Sequence, residues 1–355
     1  MTERNEALDA RTRHRLEQFI AEAAGATHAA LVEIAPTSLG APTDAILRVD
    51  FRDGPLAGAQ NFVMHSMAPR RRDENLAVDT LTPAQEYAVL RAAFDAGVTV
   101  PEPMWECLDP AVAGIPFFVT RRLAGITDPA LVGDPAKIGD GKVLLGRLGE
   151  DIARLHSIRP PNADLDFLKM PRSGPSAQTI ADRRAFIDRH SESHPVLEWG
   201  LRWLELNAPR DLEIVLVHRD FRTGHYVIDG SGGLIGIVGW RYAGWGDPME
   251  DIANFCARCW RFGATGEAGG IGERSDFYAG YARISGRAPD PWIVAYWEVA
   301  AHLRRACLAL AEADRHLFGG EPSLEHALAG RLVAELELEI LTATAEGLSH
   351  DSGNL

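Results

Sequence analysis

The side chains best placed to do chemistry fall in residues 216–255, LVHRDFRTGHYVIDGSGGLIGIVGWRYAGWGDPMEDIANF. An apolar run, EIVLV, delivers His218, Arg219 and Asp220 into a loop, His225 follows, and a hairpin returns the chain to Gly239 and Arg241. A carboxylate at a strand end suits general-base work on a hydroxyl. Phosphoryl transfer asks for that carboxylate, for oxygen ligands to magnesium, and for cations near the phosphates. An aspartate in such a loop can equally accept backbone hydrogen bonds, so both readings of Asp220 stand. Asp247 and Asp251 in GDPMED read as an N-cap and a first-turn acid tying a helix to the loop.

The elements that must position these groups follow from periodicity. Residues 11–24 carry apolar positions at helical spacing, and AALVEIAP, DAILRVDFR and NFVMHSM read as strands, the second and third joined by the turn DGPLAG. TPAQEYAVLRAAFDAG starts with Thr and Pro and stops at Gly97, as helices do. VPEPMWECLDPAVAGIPFFVTRRLAGI reads as two more strands, so residues 1–122 are expected to form a five-stranded antiparallel lobe with one or two helices. From residue 123 to 355 helical periodicity dominates, including PMEDIANFCARCWRF and SLEHALAGRLVAELELEILTATAEG, while residues 159–175 read as a loop. The fold class is α+β with two lobes.

Composition narrows the function classes. With 355 residues, 46% hydrophobic and 24% charged, the chain reads as a folded globular protein. Its net charge of −14 argues against a nucleic-acid partner, which wants a basic surface. There is no run long and apolar enough for a membrane span, and the charged start MTERNEALDARTRHRLEQF lacks a leader-like apolar stretch, so a cytoplasmic location is expected. Four cysteines make no disulfide framework. Cys256 and Cys259 have the spacing of half a zinc site without a second half, so no metal site is assigned.

The window resembles the aminoglycoside phosphotransferase family, whose pattern is a His-Gly-Asp loop, an Asn five residues after the Asp, and a further Asp in a strand-end turn. The likeness extends to TPAQEYAVLRAAFDAGVTVPEP, GIPFFVTRRLAG, GDPMEDIA, CWRF, GGIGERSDFYAGY and YWEVAAHLR. These blocks are similar to the branch associated with acyl-CoA dehydrogenases, whose better-understood members phosphorylate hydroxy acids. The resemblance implies a protein-kinase-like fold, with a small antiparallel β N-lobe and a larger, mostly helical C-lobe. It also implies ATP and Mg²⁺ as cofactors and a small-molecule metabolite as partner.

Carried over residue by residue, Asp220 matches the family's catalytic base, Arg219 replaces the loop glycine, His225 replaces the metal-binding Asn, and Gly239 replaces the main magnesium-binding Asp. Arg241 falls where close relatives carry an acid. His65 stands at the basic position of the N-lobe strand, and Glu86 matches the acid that pairs with it, leaving Arg70, Arg71 or Arg72 as other partners for Glu86. Gly40 is the one glycine of APTSLGAPTD, where a phosphate loop would lie. His65, Glu86, Arg219 and Arg241 are the cofactor-binding candidates. Imidazole suits transition metals better than magnesium, and glycine supplies no ligand. Two functions follow: a pseudo-phosphotransferase that keeps the cleft for a metabolite, as a binding or regulatory protein open to a protein partner or as an enzyme with repurposed chemistry, or an ATP-dependent O-phosphotransferase of a small hydroxylated metabolite with Asp220 as base and arginines partly replacing metal. Trp240, Tyr242, Trp245, Phe255, Trp260 and Phe262 are divided between core and an apolar pocket, mostly core.

Overall fold

The computed structural model describes residues 9–37, 44–66, 80–210, 212–320 and 322–351. Helix α1 (Ala10–Ala23) starts at Asp9, whose carboxylate accepts from the backbone N–H groups of Arg11 and Thr12. Strands β1 (Ala29–Pro36), β2 (Ala45–Phe51) and β3 (Gly58–Ser66) follow. Helix α2 (Pro83–Asp95) opens with a reciprocal capping box between Thr82 and Gln85. Strand β4 (Pro103–Cys107), the single turn α3 (Pro110–Ala113) and β5 (Phe117–Arg121) complete this lobe. The strands form one antiparallel sheet in the order β1-β2-β3-β5-β4. Leu16 and Ile20 of α1 pack on Leu47, Val49, Phe62 and Phe117 from the strands.

The helical lobe begins with the short turns α4 (Pro129–Val132) and α5 (Pro135–Ile138). Three longer helices follow, α6 (Gly141–Leu155), α7 (Pro175–Ile187) and α8 (Pro195–Leu206). Two small antiparallel pairs carry the loops, β6 (Val215–Val217) with β9 (Gly244–Gly246), and β7 (Tyr226–Ile228) with β8 (Leu234–Ile237). Then come α9 (Pro248–Cys256), α10 (Arg274–Ser285), α11 (Pro291–Leu317), α12 (Leu324–Arg331) and α13 (Val333–Asp351). Asp-Pro pairs start several of these helices: Asp128, Asp134, Asp247 and Asp290 each accept a backbone N–H two residues on, with Pro at the first helical position. Glycine lets α6 and α10 touch, because a Cβ at Gly149 would lie 2.2 Å from the Phe277 carbonyl oxygen. Val89, Leu90 and Ala93 of α2 belong to the core of the helical lobe, so α2 joins the two lobes.

Three local details differ from the sequence reading. The helix expected through FCARCWRF stops at Cys256 because Ala257 is extended and the Arg261 guanidinium donates to the Cys256 carbonyl; a 3₁₀ turn, Arg258–Trp260, follows. The last helical stretch is two helices, breaking at Leu332. Gly244–Gly246 is a strand, held by its partner β6 rather than by any strand-like alternation. Among the described residues no helix is long and apolar enough to cross a membrane.

Candidate active site

The loop after β6 is held from α9. Asp251 accepts the backbone N–H groups of His218 at 2.6 Å and Arg219 at 2.8 Å, and its Oδ2 also contacts His156 Nε2 at 3.2 Å. Asp247 caps α9, accepting from Met249 N at 2.8 Å. His218 is fully buried; its Nε2 donates to the Val238 carbonyl at 3.0 Å and its Nδ1 accepts the Asp220 N–H at 3.2 Å. That pattern belongs to a neutral ring, in agreement with burial pulling its pKa down. Arg219 adopts φ of 62°, a left-handed conformation that costs an ordinary residue about 1–2 kcal/mol. Its guanidinium donates to the Trp245 carbonyl at 2.7 Å and lies 3.9 Å from Glu250.

Asp220 is 6% exposed and surrounded by positive or donating groups. Arg304 of α11 donates to Oδ1 at 3.1 Å, Arg222 Nε approaches the same oxygen at 3.4 Å, and His225 Nδ1 is 3.3 Å from Oδ2. Burial alone would raise the pKa of this carboxyl, but His225, Arg304 and Arg222 outweigh burial and hold it well below the usual carboxylate range. His225 donates from Nδ1 to the Asp220 carbonyl at 2.8 Å, and its Nε2 accepts from Arg222 at 2.9 Å. Both ring nitrogens are therefore in use, and burial lowers its pKa to about 4. Arg222 stacks on Trp260 with 4.4 Å to the ring centre, and Arg304 lies over Tyr242 at 5.2 Å.

Gly239 and His225 share one space. Gly239 has φ of 87°, and a Cβ there would sit 3.0 Å from His225 Nδ1. The imidazole thus stands where a side chain from position 239 would begin. In the N-lobe, His65 is bound to Asp44 at 3.2 Å and Thr120 at 3.0 Å and stacks on Phe118. Burial raises the Glu86 pKa, while His65 and Arg241 pull it the other way, so both side chains face this acid. The Arg241 backbone carbonyl accepts the Leu81 N–H at 2.9 Å, and its Nε is buried without a hydrogen-bond partner among the described residues. Arg241 therefore serves the lobe junction, while Arg304 and Arg222 surround Asp220. Arg70, Arg71, Arg72 and Gly40 lie outside the described residues.

The pattern that defines the phosphotransferase enzyme family matches residues 70–287, more than half of the chain. The chain belongs to the phosphotransferase enzyme family. It is 26% identical over 176 residues to acyl-CoA dehydrogenase family member 10 from Mus musculus, covering 48% of this chain and 16% of that protein. It is 24% identical over 270 residues to family member 11 from Homo sapiens, covering 71% of this chain and 34% of that protein. The matches thus span about a third or less of these relatives' lengths. A putative aminoglycoside phosphotransferase from Ralstonia eutropha has the same fold, with TM-score 0.71, 18% identity, and coverage of 94% of this chain and 98% of the other. A spectinomycin phosphotransferase solved with ADP and spectinomycin aligns with TM-score 0.53 and 11% identity, covering 93% and 98%. The fold is therefore the protein-kinase-like, two-lobed α+β fold of this family.

In this family member a cleft of about 680 Å³, counting space open to solvent, adjoins the Asp220 loop. Arg219, Tyr242, Glu250 and Arg304 line its loop side, and Thr179 and Arg183 of α7 line the other. Three arginines absent from the sequence reading shape this site: Arg222 and Arg304 contact Asp220, and Arg183 lines the cleft. Arg304 carried a usable signal, since a charge inside the apolar stretch VAAHLRRACLAL requires a buried partner. The partner lies 84 residues away in the chain. Trp240, Trp245, Phe255 and Trp260 are core residues, Tyr242 faces the cleft, and Phe262 is exposed. Burial pushes the Cys256 and Cys259 thiols up to about 12, so both stay protonated.

Proposed function

We propose that this chain binds a small metabolite in the cleft and does not carry out magnesium-dependent phosphoryl transfer. The observation that carries the reading is the contact of Arg304 with Asp220 at 3.1 Å, backed by Arg222 and His225. The carboxylate that would take a proton from a substrate hydroxyl is neutralised from within the protein, and its lowered pKa makes it a weak base. The donor set also fits magnesium poorly. Position 239 offers no side chain, His225 has no free lone pair, and Asp220 is shared among cations. His65 is engaged by Asp44 and Thr120, which argues against its clamping a phosphate.

Thermal-shift measurements with ATP and Mg²⁺, alone and together, test this. The expected result is no magnesium-dependent stabilisation by ATP. A shift that needs both would restore the alternative, an ATP-dependent O-phosphotransferase of a small hydroxylated metabolite with Asp220 as base. Arg219 and Arg241 would then be the first cations to test against the nucleotide phosphates.

A further inference from the structure

The α7 lining of the cleft contains a buried charge with no carboxylate bonded to it among the described residues. Arg183 of α7 is 4% exposed, and its Nε and Nη1 are buried without a hydrogen-bond partner among the described residues. Its side chain hydrogen-bonds the Cys307 sulfur, but burial pushes that thiol up to about 11, so this partner is neutral and a weak acceptor. Arg304 adds like charge, and burial lowers the pKa of Arg183 from its ordinary value. A guanidinium nevertheless stays protonated in proteins. Asp182 exerts an opposing pull, but its Oδ1 accepts from the Gln178 amide at 2.9 Å. Glu250 of the same cleft feels Arg183 too, but Arg219, at 3.9 Å, acts on it more strongly.

Buried cations with unsatisfied donors are costly and rare, and those that persist call for a ligand or a function. Arg183 lines the open cleft together with Arg219 and Arg304. Those two already have acceptors in the protein, the Trp245 carbonyl and Asp220. Arg183 keeps two donors, Nε and Nη1, without an acceptor among the described residues. We propose that Arg183 anchors an oxyanion, a carboxylate or phosphate, carried on a small molecule whose carbon body packs on Trp297, Ala300 and Pro175 of the same cleft. A planar guanidinium binds such groups through two parallel hydrogen bonds. The proposal deepens the metabolite-binding reading and rests on it: it names the ligand's chemical class and the residue that selects it.

The probes are hexanoate, its uncharged and cationic counterparts hexanol and hexylammonium, and inorganic phosphate, with binding read by calorimetry and thermal shift. Hexanoate or phosphate is expected to bind and stabilise the protein, with hexanol and hexylammonium at least about tenfold weaker than hexanoate where hexanoate binds. Arg183→Met and Arg183→Gln should each lose at least about tenfold in affinity for the bound anion. Phosphate binding without hexanoate would make phosphate the source of the oxyanion, and competition between the two would put both on one site. The proposal is overturned if neither anion binds, if hexanol or hexylammonium binds as well as hexanoate, or if anion affinity survives loss of Arg183. Should one variant fail to fold, the other variant and the charge series on the wild-type protein still decide. Magnesium-dependent ATP binding that survives Arg183→Met would sink the reading of lost phosphoryl transfer and leave this site standing.

Discussion

The two walls of the cleft differ in how their buried charge is completed. On the loop wall, Asp220 meets Arg304, Arg222 and His225, and both nitrogens of His218 and of His225 have partners. On the α7 wall, Arg183 is equally buried, yet two of its nitrogens have no partner among the described residues. Polar chemistry completed inside the protein leaves little for a ligand to add. An incomplete site leaves a ligand something to supply. The contrast makes Arg183, rather than Asp220, the group with unfilled donors in this cleft.

The largest expected effect is on the completed wall. Arg304→Met should destabilise the protein by about 3–4 kcal/mol in urea denaturation, since it strips a partner from a buried carboxylate. A loss below about 1 kcal/mol would mean that Arg222 and His225 suffice to hold Asp220. Acid should then expose His225. Its folded pKa, about 4, lies below the ordinary 6.5, so the unfolded chain takes up the proton first. Stability due to the neutral ring is complete above pH ~6.5 and is lost as pH falls towards ~4, by up to about 3 kcal/mol. Asp247 acts with the opposite sign, because burial raises its pKa to about 7 and its ionisation opposes folding as pH rises. Comparing wild type with His225→Asn across this range cancels Asp247, and parallel stability curves would refute the assignment to His225.

A smaller effect tests the shared space. Gly239→Asp alone should cost about 2–3 kcal/mol, from positive φ and contact with the imidazole, and adding His225→Asn should recover about 1 kcal/mol. Strict additivity in the double-mutant cycle would show that the two positions are independent. The smallest effect lies on the unfinished wall, where Arg183→Met without any ligand should raise stability by about 1 kcal/mol by removing an unpartnered buried charge. A loss of stability instead would show that Arg183 is already satisfied within the fold, which breaks the contrast between the walls.

Much of the scaffold was legible because it is locally encoded. Thr82-Pro83 and Asp247-Pro248 announce helix starts, the apolar alternation of β1 and β2 announces strands, and Asp251 at a helix start announces the tie to the loop. The break at Cys256 was not legible, because it depends on Arg261 reaching back to a carbonyl. The roles of Glu86 and Arg241 were legible only as matches to a family pattern. Their mutual approach joins α2 to the turn after β8, a contact between segments far apart in the chain.

By itself the sequence determined the two-lobed architecture and the family, because periodicity and motif identity are properties of neighbouring residues. Only the tertiary structure decided what surrounds Asp220 and what does not surround Arg183. Those pairings bring α7 and α11 to the loop after β6, and the strength of a charge–charge contact depends on distance and burial rather than on separation along the chain.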